Sequence, residues 1–121
     1  MAGRKIIVVT TDYVPGMKIT KVNGAAFGLI VRSRGLGGNF VAGLRSVVGG
    51  EIHEYTKMLA DAREDAIERL VEHARVLGAN AIVGMSFDSV DIGQSMTEVV
   101  AYGTAVVVAK ETKKSSPVSL M

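Results

Sequence analysis

From Glu54 to Leu77 the chain runs for 24 residues without a proline or a glycine. Tyr55, Met58, Leu59, Ala62, Ala66, Ile67, Leu70, Ala74 and Leu77 recur three or four apart. That spacing gathers apolar side chains on one side of a helix. Lys57, Asp61, Glu64, Asp65, Glu68, Glu72 and Arg75 fall on the other side. Lys57 with Asp61, and Asp65 with Arg69, stand four apart and are set to pair along it. A helix of this length extends about 36 Å, whereas a chain of 121 residues packs to a radius of gyration of about 14 Å. The helix therefore spans the domain, and its apolar side needs a partner equally long. Strands of ten or more residues meet that need; a short hairpin does not.

Such strands follow. Gly78 is suited to a left-handed helix stop. Ala81–Val90 sets Met85 and Phe87 on one face and Ser86 and Asp88 on the other. Asp91-Ile92-Gly93-Gln94-Ser95 reads as a turn. Met96–Ala109 is apolar on both faces from Val99 onward, so neither face of that strand is expected to meet much water. The helix takes one face, and a neighbouring subunit is the economical cover for the other. Upstream, Ile6–Thr10 reads as a short strand and Pro15-Gly16 as a turn. Val22–Arg34 reads as one long strand, bent or broken near Gly28. Asn39 is a helix cap before Phe40–Val48, a short helix ended by Gly49-Gly50 that would cover part of the second face. The expected fold is α+β: an antiparallel sheet of long strands packed on one long helix, plus a short helix.

Residues 1–109 form one domain on this reading, with a mobile tail over 110–121. The sequence has no cysteine, which excludes disulfides, thiolate metal sites and cysteine nucleophiles. The four apolar residues Ile6-Ile7-Val8-Val9 are too few for a signal peptide core, and no run reaches the ~18 apolar residues of a membrane span. A soluble, cytoplasmic protein is expected, without a membrane partner. Net charge is +2 but uneven: residues 1–50 carry seven basic groups and one acidic, and residues 51–77 carry four basic and seven acidic. The basic half attracts anions in general. Its basic residues are scattered and lack the aromatic interleaving of a nucleic-acid surface, so nucleic acid is not expected as a partner.

Few side chains offer chemistry. Glu51 precedes the long helix, where a carboxylate meets orphan backbone N–H groups and the helix dipole; it reads first as an anchor and second as a ligand or interface group. Gly49-Gly50 lacks the lysine and hydroxyl that complete a P-loop. His53 and His73, the only histidines, are too far apart along the helix to share a metal. His53 with Glu51 is the weak metal-ligand pairing the sequence allows, and His73 reads as exposed or at a contact. Arg63 lies beside the apolar stripe, suited to an ion pair with Glu98 or Glu51 or to a subunit contact. Glu98 opens the final strand, where a carboxylate beside an apolar run is paired or at a rim. Tyr55 and Tyr102 each combine a ring with a hydroxyl. Ala101, Gly103 and Ala105 form a stripe of small residues that favours close backbone packing and tight assembly.

Gly49-Gly50-Glu51, Tyr55, Ala62-Arg63, Ala66, Arg69, Ala74, Leu77-Gly78-Ala79-Asn80-Ala81, Thr97-Glu98 and Ala101-Tyr102-Gly103-Thr104-Ala105-Val106 together resemble the YbjQ-like family, UPF0145, over residues 6–109. The resemblance implies a dodecin-like α+β subunit assembling into a ring-shaped homopentamer. It also brings a label of heavy-metal binding, but no assigned reaction and no catalytic residues. Soft heavy metals favour thiolates, and this chain has none.

The function expected is that of a non-enzymatic homo-oligomer holding a small ligand or ion at subunit junctions, with Glu51, Arg63, Glu98 and Tyr102 as its ligand-binding residues. No cofactor and no catalytic residue is assigned. Two alternatives stand beside it. One is divalent metal binding through oxygen and nitrogen ligands. The other is an enzyme whose site is shared between subunits.

Overall fold

The computed structural model describes residues 5–33, 53–93 and 95–111, with side chains omitted for residues 53–55. Strands β1 (Ile7–Val8) and β2 (Met17–Ser33) precede helix α1 (His53–Val76), and strands β3 (Ala81–Ile92) and β4 (Met96–Lys110) follow it. The four strands form one sheet in the order β1-β3-β4-β2. β4 lies between β3 and β2 and is antiparallel to both, while β1 runs parallel to β3. The sheet is therefore mixed, where the sequence led us to expect an antiparallel one. The reason is that α1 carries the chain from one edge back to β3 as a crossover. The short helix expected at Phe40–Val48 lies outside the described residues.

α1 packs on one face of the sheet. Ala62, Ala66, Leu70 and Ala74 are buried against Ala26 and Ile30 of β2, Val99, Ala101 and Ala105 of β4, and Ile82 of β3. Most of these side chains are alanines, which lets backbones come close. Gly28 shows how close: a Cβ built there would collide with the Ala66 carbonyl and the Leu70 amide. β2 is unbroken at Gly28; its irregularities fall at 19/21 and 22/24. The glycine that read as a bend is a seat for the helix. The stripe of Ala101, Gly103 and Ala105 likewise faces the subunit's own helix and the β3 bulge, so its close packing is internal.

The helix ends where expected, one residue early. Gly78 adopts φ 86°, its N–H donates to Arg75 O, and the Ala79 N–H donates to Ala74 O, both at 3.0 Å. This is the paired bonding of a Schellman stop, with Ala79 and Ala74 both buried beside it. The next residue joins the sheet through its side chain. The Asn80 amide donates to Val108 O at 3.0 Å, and its oxygen accepts the Val108 N–H at 2.8 Å.

Among the described residues, the second face of the sheet is covered at one end only. There Val14, Ala81, Val83, Val106 and Val108 form a smaller buried cluster, with Ile7, Val9 and Met17 against it. Part of the cover assigned to a neighbouring subunit thus comes from the chain's own N-terminal segment. β4 runs to Lys110, and the Glu111 N–H donates to Gly16 O; residues 112–121, the rest of the expected tail, lie outside the described residues.

Candidate functional site

Cross-strand partners in a sheet point to the same face. Val99, Ala101 and Phe87 face α1, so the alternate residues face away. Row by row, the far face carries Ser86, Tyr102 and Phe27; then Asp88, Val100 and Leu29; then Val90, Glu98 and Val31; then Ile92, Met96 and Ser33. Phe27, Leu29, Val31, Val90, Ile92 and Met96 on this face are each 38–54% exposed. These partly open apolar side chains lie side by side on one face instead of being scattered singly. Glu98 sits in its middle, flanked across the strands by Val90 and Val31. Tyr102 lies four residues along the same strand, and Asp88 one row away.

The proposed ligand residues divide. Glu98 and Tyr102 share the open face. Arg63 does not join them: its guanidinium lies over the Phe87 ring, 5.0 Å from the centroid, on the helix side. That geometry is a cation–π contact, and it replaces the ion pair with Glu98 that sequence position suggested. Glu51 lies outside the described residues, and so does the side chain of His53. Among the described residues no group of three or more His, Cys, Asp or Glu side chains stands together as a metal site.

The outer edge of β2 is organised by α1. The Phe27 N–H donates to Nδ1 of His73 at 3.0 Å, and Arg69 Nη1 donates to Leu29 O at 3.1 Å. Near the helix end, Asn23 Nδ2 donates to Leu77 O at 2.7 Å. Arg32 pairs with Asp65. Asp65 therefore turns to the strand, and the Asp65–Arg69 pair expected along the helix gives way to two long-range contacts. Lys57 and Asp61 pair at 3.1 Å as their spacing requires. Exposed strand edges invite stray pairing, and here helix side chains occupy the polar groups of one. Sequence reading missed this role for His73 and Arg69. The signal was their spacing of four, on the flank between the apolar and charged sides.

The YbjQ family model, described as "Putative heavy-metal-binding", matches residues 6–109. The chain belongs to this family. UPF0145 proteins of Methanoregula boonei and Methanocella arvoryzae are 63% and 61% identical to it, over 96% and 95% of this chain and 97% and 96% of theirs. A UPF0145 protein of Thermoplasma acidophilum is 60% identical over 95% of this chain and 97% of its own. A crystal structure of a DUF74-family protein of unknown function from Pediococcus pentosaceus shares the fold, with TM-score 0.57 and 16% identity over 86% of this chain and 98% of that one. No described helix of this YbjQ-family chain is long and apolar enough to cross a membrane.

Proposed function

We propose that this YbjQ-family chain is the subunit of a non-enzymatic, cytoplasmic homo-oligomer that holds a small ligand or ion where subunits meet. The assembly is a ring of the dodecin-like type, a pentamer by resemblance. The observation that carries the reading is the open sheet face. Its apolar side chains remain partly exposed after the helix and the N-terminal segment have taken their places, and burial against further copies gains roughly 25 cal/mol per Å² removed from water.

The same face supports the ligand half of the reading. Glu98 and Asp88 bring carboxylates, and Tyr102 brings a hydroxyl, to a surface otherwise apolar. Buried between copies, these groups need partners, and symmetry repeats each one at every junction or around a shared axis. Oxygen ligands of this kind suit hard divalent ions, which is the form of metal binding this face favours.

Light scattering on purified protein at micromolar concentration tests the assembly. A defined oligomer is expected, and Val31→Glu on the open face is expected to dissociate it. A monomeric wild type overturns the proposal. Titration with calcium, manganese and zinc in turn, followed by native mass spectrometry, tests the ion. Retention of one metal per subunit or fewer, lost in Glu98→Gln, supports the junction site.

A further inference from the structure

β2 is the outermost strand on its side of the sheet, and from Asn23 to Leu29 its outer edge is held by side chains of α1 and its C-terminal corner. Two of the three contacts are indifferent to pH near neutrality. The Asn23 amide and the Arg69 guanidinium donate to carbonyl oxygens, and neither group gains or loses a proton there. The third is different. The Phe27 N–H donates to Nδ1 of His73, and an imidazole is the side chain that changes charge between about pH 5 and about pH 8. A neutral ring accepts at one nitrogen. A protonated ring carries hydrogen on both nitrogens and accepts at neither.

We propose that His73 is a pH-operated latch on the outer edge of β2: neutral, it holds the Phe27 N–H, and protonated, it lets go. The latch belongs to the single subunit and stands whether or not copies assemble. Phe27 is 52% exposed and His73 is half-buried, so water reaches the pair. His73 lies in the last turn of α1, where the carbonyl end of a helix favours a cation. Of the charged side chains beside it on α1, Glu72 is turned to Arg75 at 2.8 Å, and Arg69 stands one turn earlier with its guanidinium on Leu29 O. β2 carries no charged residue from Asn23 to Ile30. Tyr102 of β4, the cross-strand partner of Phe27, faces the open side of the sheet. Protonation therefore sets two cations four residues apart on one helix, and it weakens the Arg69 contact as the Phe27 contact is lost.

The direction follows from the bond. It exists while the ring is neutral, so the edge is closed above the range in which the ring titrates and opens as pH falls through it. The freed N–H lies on an outermost strand, and such an N–H is able to pair with a further strand. Acid thus turns a closed stretch of edge, from Phe27 to Leu29, into an open one. The stacking of the two rings, with centroids 6.3 Å apart, does not need the neutral form. It keeps the imidazole beside the amide, so the bond re-forms when pH rises.

Nuclear magnetic resonance on the full chain tests the latch by following two signals in the same samples between about pH 8 and about pH 5. One is the imidazole resonance of His73. The other is amide exchange at Phe27, expressed as protection relative to an unstructured amide so that the intrinsic pH dependence of exchange cancels. In wild type, protection at Phe27 is expected to fall about fivefold, the equivalent of one ordinary hydrogen bond, in step with protonation of the His73 ring. Amides in the middle of α1 are expected to keep theirs. His73→Asn sets an amide oxygen where Nδ1 stood and has no proton to gain, so its Phe27 protection is expected to stay flat across the same range. Unchanged protection in wild type while the ring protonates overturns the proposal. So does an equal fall in wild type and in His73→Asn, because the fall then belongs to another group. Circular dichroism checks that the variant is folded. Should it fail to fold, the wild-type samples decide: a fall that tracks the His73 signal supports the latch, and one that does not overturns it.

Discussion

The Phe27 amide donates to Nδ1 of His73 at 3.0 Å, and the two rings stack at 23° with centroids 6.3 Å apart. One histidine thus fills a hydrogen-bond position that an adjoining strand would otherwise take, and adds a ring contact. The acceptor must be an unprotonated Nδ1, which fixes the neutral ring as the Nε2–H tautomer.

His73→Phe separates the two contributions. It keeps a ring beside Phe27 and removes the acceptor. A loss of about 1 kcal/mol in urea unfolding is expected. Amide hydrogen exchange should quicken at Phe27 in particular, and unchanged protection there would show that the bond contributes nothing.

Gly28→Ala is expected to cost about 3 kcal/mol, near the upper end of overpacking effects. The added methyl meets backbone atoms of Ala66 and Leu70, and backbone cannot rotate aside as a side chain does. Chemical denaturation would show the loss. A neutral result would mean that α1 sits farther from β2 than described.

Leu70 is among the largest fully buried side chains, in a cluster whose buried members are mostly alanines that cannot expand into a gap. Leu70→Ala is expected to destabilise by about 2–5 kcal/mol. Leu70→Met conserves volume and should cost less than about 1.5 kcal/mol. Thermal melts of the two variants side by side provide the comparison.

Arg32 and Asp65 tie β2 to α1, but their side chains are 39% and 45% exposed. Solvent screens such a pair, so a double-mutant cycle should return less than about 1 kcal/mol. A coupling of several kcal/mol would show that the pair is shielded, as burial in an assembly would shield it.

The helix, its stop and the two long strands after it were legible because each depends on local pattern. Residues 54–77 keep one period without a breaker, and Gly78 ends them. The turn at 91–95 was read too long, since Asp91 and Ile92 continue β3. β2 was read too short at its start, because Met17–Lys21 has no clean alternation and is held by the register with β4. The parallel pairing of β1 with β3 was not legible, because two residues carry too little pattern to choose a neighbour. Of the proposed ligand residues, Glu98 and Tyr102 share a face because four residues along one strand preserve it. Arg63 lay beyond such reasoning: nothing local tells a helix arginine that its partner is an aromatic ring on another strand.

Asn80 joins the sheet through an amide on its side chain, one residue after the helix stop. Asn80→Asp keeps the acceptor for Val108 N–H but sets a carboxylate oxygen against Val108 O, and a loss of about 2 kcal/mol is expected. The corner from 77 to 81 is thereby a rigid joint with no slack. Inserting a single glycine there should push every later residue out of step with its neighbours, whereas the same insertion beside Gly93 should pass almost unnoticed.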